Sequence, residues 1–274
     1  MVPVKIFLLA LALSAASGSV AESVITWKGS WQQGSLLLGQ VKPGYSVRHN
    51  DQLLKTTDDG HFLFGLGRNA SESSRFVISD ANGSTVEQIY PVASRDYKIQ
   101  RIEGVPQSTV EPPAEQLQRI KSDSRLVREA RQPVTDQADF LQGFIKPLDG
   151  PVTGVYGSQR FYNGVPKSPH YGIDYAAPAG TVVVAPAAGV VRLAHPDLFY
   201  SGGTMIIDHG HGLTSSFLHL SENLVTVGSR VERGDPIAKV GATGRATGPH
   251  LDWRMNWRNV RVDPELVLES LPAR

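Results

Sequence analysis

Beyond residue 144 the chain never sustains an apolar stripe at helical spacing. Its apolar residues come instead in short runs, "TVVVAP", "GVVRLA", "TMIIDHG", "LTSSFLHL", "LVTVGSRV" and "DPIAKVG", with glycine and proline between them. Runs that short, punctuated that often, make strands and not packed helices. Residues 144–274 are therefore expected to form an antiparallel β domain. Residues 22–104 have the same texture: "SLLLGQV", "HFLFGL", "RFVIS" and "VEQIYPV" are separated by turn signals at Pro43 and Gly44, Asp59 and Gly60, and Asn82 and Gly83. That predicts a small β-sandwich, in which Trp27 and Trp31 pack and His49 and His61 sit solvated in polar turns. The fold class is mostly β.

Residues 105–143 read as a connector. Pro112 and Pro113 suit a helix start, and Leu117, Ile120, Val127 and Ala130 form a narrow apolar stripe, so one mostly exposed helix is expected. Arg119, Arg125, Arg128 and Arg131 are read as its solvated face. Residues 1–21 have one lysine, an apolar run from Ile6 and small residues at Ser19 and Ala21. This is the build of a signal peptide cleaved after Ala21, too short in its apolar run for a membrane span. The mature chain is expected outside the cytoplasm, with no membrane span after cleavage.

Lysine plus arginine (27) nearly cancels aspartate plus glutamate (26). No long-range field would draw the molecule to nucleic acid. The chain has no cysteine. That excludes disulfides, a lipobox anchor, thiolate metal sites and a cysteine nucleophile, so any metal must take imidazole and carboxylate.

Of the eight histidines, six fall after residue 144: His170, His195, His209, His211, His219 and His250. His250 and Asp252 lie two apart in a predicted strand, so both side chains leave one face about 7 Å apart. His170 and Asp174 are four apart, but the prolines and glycine around them argue against a helix. In an extended strand their Cα atoms would be about 13 Å apart, too far to share an ion bound at about 2 Å. The chain must bend between them, and Gly172 is the residue expected to permit it. His209 is expected to hydrogen-bond within the "DHGHG" turn, His211 to be exposed, and His195 to lie in a loop. Asp208 and Asp235 read as turn residues. Ser215 and Ser216 lack the glycine-flanked elbow of a serine hydrolase.

Three stretches in order, "GPVTGVYGSQRFYNGVPKSPHYGIDYAAPAGTVVVAPAAGVV", "MIIDHGHGLTSSFLHLS" and "VERGDPIAKVGATGRATGPHLDW", resemble the lysostaphin-like (LytM-type) peptidoglycan metalloendopeptidases over roughly residues 144 to 265. The resemblance implies a compact β domain with an open groove, one Zn2+ in its floor, and peptide cross-links of peptidoglycan as substrate. It implies His170 and Asp174 as metal ligands and His219 and His250 as catalytic histidines. It also implies a secreted protein, crossing the inner membrane to the periplasm. The loops "FYNGVPKSP" and "HPDLFYSGG" are natural groove walls, and Tyr156, Phe161, Tyr162, Phe199 and Tyr200 either line subsites or pack.

The sequence departs from the family at the third ligand. Where the family usually has His-x-His, this chain has His250, Leu251 and Asp252. In one reading Asp252 is the third ligand, which zinc accepts at nearly the same bond length, and the formal charge at the ion falls by one unit. In the other, Asp252 does not reach, and the domain is a weak or inactive peptidase that binds peptidoglycan or activates another cell-wall hydrolase or a divisome component. Retention of all the other positions favours the first reading: a zinc metalloendopeptidase in which one of His219 and His250 is general base and the other aids the oxyanion or the leaving amine.

Overall fold

The computed structural model describes residues 23–103 and 114–273. The expected signal peptide and the two connector prolines, Pro112 and Pro113, lie outside the described residues. Among the described residues there are twenty strands and two α-helices, Leu117–Arg131 and Pro264–Ser270, so the protein is mostly β as expected.

The apolar runs of the N-terminal part become the strands Leu36–Gln40, His61–Gly65, Ser73–Ser79 and Thr85–Pro91. With their neighbours they form a three-stranded and a four-stranded antiparallel sheet. Alternation sets the faces: in Ser73–Ser79, Ser74, Phe76 and Ile78 are buried while Arg75 is exposed. Rings from both sheets meet between them. Trp31 stacks on Tyr90 with centroids 4.7 Å apart, and Trp27 meets Trp31 edge-on at 5.0 Å and Phe76 at 5.3 Å. Trp27 and Trp31 are packing residues. His49 and His61 are not turn residues, because each belongs to a strand. The His49 ring lies 4.5 Å from that of Phe64, and burial lowers its pKa.

The C-terminal part is built on a ten-stranded antiparallel sheet. Its central path runs Arg230–Val231, Gly189–Leu198, Gly202–Asp208, Leu213–Asn223, His250–Trp257, Gly172–Ala176, Val152–Gly154. One face is apolar: Met205, Ile207, Leu213, Phe217, Leu251, Trp253 and Met255 are all fully buried. The period of two then puts Thr214, Ser216 and Leu218 on the opposite face, beside His250, Asp252, Arg254 and Asn256 of the adjacent strand. That polar face carries the candidate site.

The two parts meet along the His250–Trp257 strand and its hairpin partner, Val260–Val262. Phe64 lies edge-on to Trp257 at 5.8 Å, and Arg95 pairs with Asp263 at 2.9 Å. Strand Ile99–Ile102 pairs in parallel with Gln159–Tyr162. The connector helix exists as expected, with Ile120, Val127 and Ala130 half-buried, but Leu117 is 44% exposed. Its arginines are not uniformly solvated. Arg125 and Arg128 are exposed, whereas Arg119 pairs with Asp197 at 2.7 Å and the largely enclosed Arg131 donates to Ser216 Oγ at 2.9 Å.

Candidate metal centre

Strand Gly172–Ala176 runs antiparallel to His250–Trp257, which puts Asp174 directly opposite Asp252. Directly opposed residues share a face of the pleat, so the two carboxylates emerge together. His170 precedes the first strand, and the chain turns there to bring its ring back over the pair. His170 Nε2 lies 3.0 Å from Asp174 Oδ1 and 3.5 Å from Asp252 Oδ2. One ligand atom from each of the three residues falls within 4.8 Å of the others.

The bend is present, but Gly172 serves it in a different way from that expected. Its backbone is not left-handed. A Cβ there would sit 2.6 Å from Asp252 Oδ1 and 2.6 Å from the Trp253 carbonyl oxygen, so glycine is demanded by close approach. Gly154 does the same for the other carboxylate: its Cβ would fall 2.1 Å from Asp174 Oδ2.

Two observations test these residues against a metal ion. His170 Nδ1 is 3.2 Å from the Val155 carbonyl oxygen, and donation there leaves the Nε2 lone pair facing the carboxylates. His170 Nε2 and Asp174 Oδ1 are also both buried without an aligned hydrogen bond. Orphaned polar atoms of complementary type, converging on one point, fit a cation better than they fit each other. Imidazole plus carboxylate is a donor set that zinc accepts.

Without a metal, burial disfavours charge on His170, but Asp174 and Asp252 outweigh it and lift its pKa to about 10. Burial would likewise raise Asp252, yet the guanidinium of Arg254 and the ring of His170 hold it far below the ordinary carboxylate range. Arg254 Nε donates to both Asp252 oxygens, at 2.9 and 3.0 Å. The motif reading passed over Arg254, although the alternation that pairs His250 with Asp252 continues to it.

His219 and His250 flank the triad, with ring centroids 4.8 Å apart. Leu218, the neighbour of His219, is opposite Asp252 in the sheet register. His219 Nδ1 faces the Thr243 carbonyl at 2.8 Å and His250 Nδ1 that of Gly248 at 2.8 Å. Both rings thereby keep Nε2 available. His219 has φ 64°, unusual for a residue with a Cβ, and lies within a register shift of its strand against Gly202–Asp208. Burial lowers its pKa, so it is neutral at pH 7.

The remaining candidates are structural. His209 is fully buried: its amide closes the turn on the Leu213 carbonyl at 2.8 Å as expected, while its ring reaches beyond the turn, with Nδ1 2.7 Å from the Ala188 carbonyl and Nε2 2.8 Å from Ser215 Oγ. His211 is 2% exposed, contrary to expectation, in a left-handed conformation against Phe140. His195 is on a strand, where Nδ1 accepts from the Asp197 amide at 3.1 Å. Asp208 accepts from the Gly210 amide as a turn residue should, and also binds Arg192. Asp235 accepts from Glu232 N. Tyr156 is core, whereas Tyr200 is exposed and carries Arg245 over its ring at 4.5 Å.

Comparison with known proteins agrees with this geometry. The family model of peptidase family M23 matches residues 168–264. An uncharacterized metalloprotease of Haemophilus influenzae is 33% identical over 138 residues, 50% of this chain and 27% of that protein. Peptidoglycan DD-endopeptidase ShyA of Vibrio cholerae is 43% identical over 90 residues, 32% of this chain and 20% of that protein. The chain thus spans about a quarter of the length of these curated relatives. A Pseudomonas aeruginosa protein, whose crystal structure was described as that of a candidate M23 peptidase, superposes with TM-score 0.65 at 28% identity, covering 88% of this chain and 96% of that one. With the family model matched across the segment that supplies the three converging side chains and both paired histidines, and with the fold superposing on that structure, residues 168–264 form a peptidase family M23 domain of the LytM/lysostaphin-like kind.

Proposed function

We propose that this chain is a zinc-dependent endopeptidase that cuts peptide cross-links of bacterial peptidoglycan, acting after secretion to the periplasm. The observation that carries the reading is the convergence of the orphaned His170 Nε2 and Asp174 Oδ1 with Asp252, next to two histidines that keep Nε2 free. His170, Asp174 and Asp252 would hold the ion. Zinc when bound would supply Lewis acidity toward a scissile carbonyl and a water.

The protein's own groups account for the rest. His219, kept neutral by burial, accepts the water proton at Nε2; the Thr243 carbonyl fixes its tautomer. His250, whose Nδ1–H is fixed on the Gly248 carbonyl, would donate from Nε2 to the developing oxyanion or the leaving amine only as an imidazolium, with a proton on each ring nitrogen. The relatives named as peptidoglycan DD-endopeptidases support the substrate class. Strand edges and loops around Phe199 and Tyr200 suit an open rim for a polymer.

One observation favours a second reading. Asp252 is already engaged by Arg254, which would suit a weak or inactive domain that binds peptidoglycan or activates another hydrolase. Metal analysis and digestion of purified peptidoglycan decide between them. The enzyme reading expects about one zinc per chain, and expects His219→Ala to retain zinc while losing about 10²- to 10⁴-fold in rate. A wild type that binds no zinc and digests nothing at any pH establishes the second reading instead.

A further inference from the structure

Arg254 contacts a proposed ligand directly, and the proposed chemistry gives it no task. It stands two residues beyond Asp252 on the same strand, so both side chains rise from one face. Its Nε bridges both carboxylate oxygens and its Nη2 adds a further bond to Oδ2. The Asp252 side chain is 3% exposed and that of Arg254 25%. The opposing strand leaves room for the pair: a Cβ on Gly172 would lie 2.6 Å from both Arg254 Cγ and Asp252 Oδ1. Two N–H groups take part, and a carboxylate offers about four lone-pair sites. Acceptor capacity toward a cation remains.

We propose that Arg254 is a positioning residue that lets a carboxylate stand where an imidazole would otherwise serve. It fixes the orientation of Asp252 and cancels its charge, so that His170, Asp174 and Asp252 together with Arg254 carry one net negative charge. A set of two histidines and one aspartate carries the same. The unit of charge that an aspartate adds to the donor set is therefore removed within the strand that supplies it. This inference rests on the metal-site reading above and deepens it. Its consequence is counter-intuitive: Asp252→His alone should harm the site, because it strands a half-buried guanidinium, without its counter-charge, beside the cation.

The test is a double-mutant cycle on the full chain: wild type, Asp252→His, Arg254→Gln and the double variant, each stripped of metal and checked for native circular dichroism. Zn2+ affinity is measured by competition with a chromogenic chelator at neutral pH. Asp252→His is expected to weaken Zn2+ binding at least tenfold, and adding Arg254→Gln to it to recover most of that loss. Equal effects of Arg254→Gln in the two backgrounds, within threefold, overturn the proposal. A folded wild type that takes up no Zn2+ overturns the metal-site reading itself, a distinct failure. If the histidine variants do not fold, Arg254→Lys and Arg254→Gln decide the matter. Lysine keeps the charge and should leave the pH profile of peptidoglycan digestion in place, whereas glutamine should move it up by about one unit. Identical profiles for both overturn the proposal.

Discussion

His170 sits between two carboxylates that, without a metal, hold a proton on its ring up to about pH 10. The proton occupies the place proposed for the cation, so metal uptake must expel it. We expect close to one proton released per Zn2+ at pH 7.5, read from calorimetric titrations in buffers of different ionisation enthalpy. The same shift sets a stability window for the metal-free protein. The folded pKa lies above the unfolded value of 6.5, so the contribution is full below pH 6.5 and is lost as pH rises through about 10. Melting temperature measured in chelator should fall across that interval, and Asp174→Asn should flatten the fall. At this scale the sequence was most informative about residue types. His170, Asp174, His219, His250 and Asp252 are brought together as the motifs implied. Arg254 was legible in principle from strand alternation. The burial of His211 was not, because it depends on Phe140 and the segment around Thr135 folding back over the turn.

The site is an arrangement of strand elements more than of loops. The Asp174 strand, the Asp252 strand and the His219 strand are neighbours in one sheet, and their register alone sets which side chains meet. Gly172 is the tightest point of that arrangement. Gly172→Ala would force a methyl group into Asp252 Oδ1, Arg254 Cγ and the Trp253 carbonyl, each at 2.6 Å. Overpacking of this kind costs about 1–3 kcal/mol. The expected outcome is a lower denaturant midpoint together with weaker Zn2+ binding; a substitution that leaves both unchanged would show that the strands can part without cost. Strand positions such as Leu213–Asn223 and Gly202–Asp208 could be read from short apolar runs and their punctuation. The left-handed backbone at His219 could not, since it accompanies the register shift against Gly202–Asp208, which falls between Phe217 and Leu220, and not a local preference of "FLHLS".

In the whole molecule the N-terminal sheets and the M23 domain share one hydrophobic core, running from Ile25 through Phe64 and Trp257 to Leu271. Asp263 is a keystone of that junction. It is 1% exposed, accepts from Glu265 N to cap the helix Pro264–Ser270, and pairs with Arg95 of the N-terminal part. Loss of the cap costs about 1 kcal/mol and loss of a partly exposed ion pair about another. Asp263→Ala should therefore destabilise the chain by about 2 kcal/mol in equilibrium unfolding, with Arg95→Ala costing less because it leaves the cap intact. The spacing of short apolar runs in the sequence by itself determined that the chain would be mostly β, and its motifs identified which histidines and aspartates could meet a metal; periodicity and residue chemistry are local properties, written into neighbouring positions. Only the tertiary structure decided that Arg254 would neutralise Asp252, that Gly172 would serve by its missing side chain, and that the connector arginine Arg131 would lie against Ser216. Each of those depends on strands far apart in the chain being laid side by side in one register, and nothing local encodes that register.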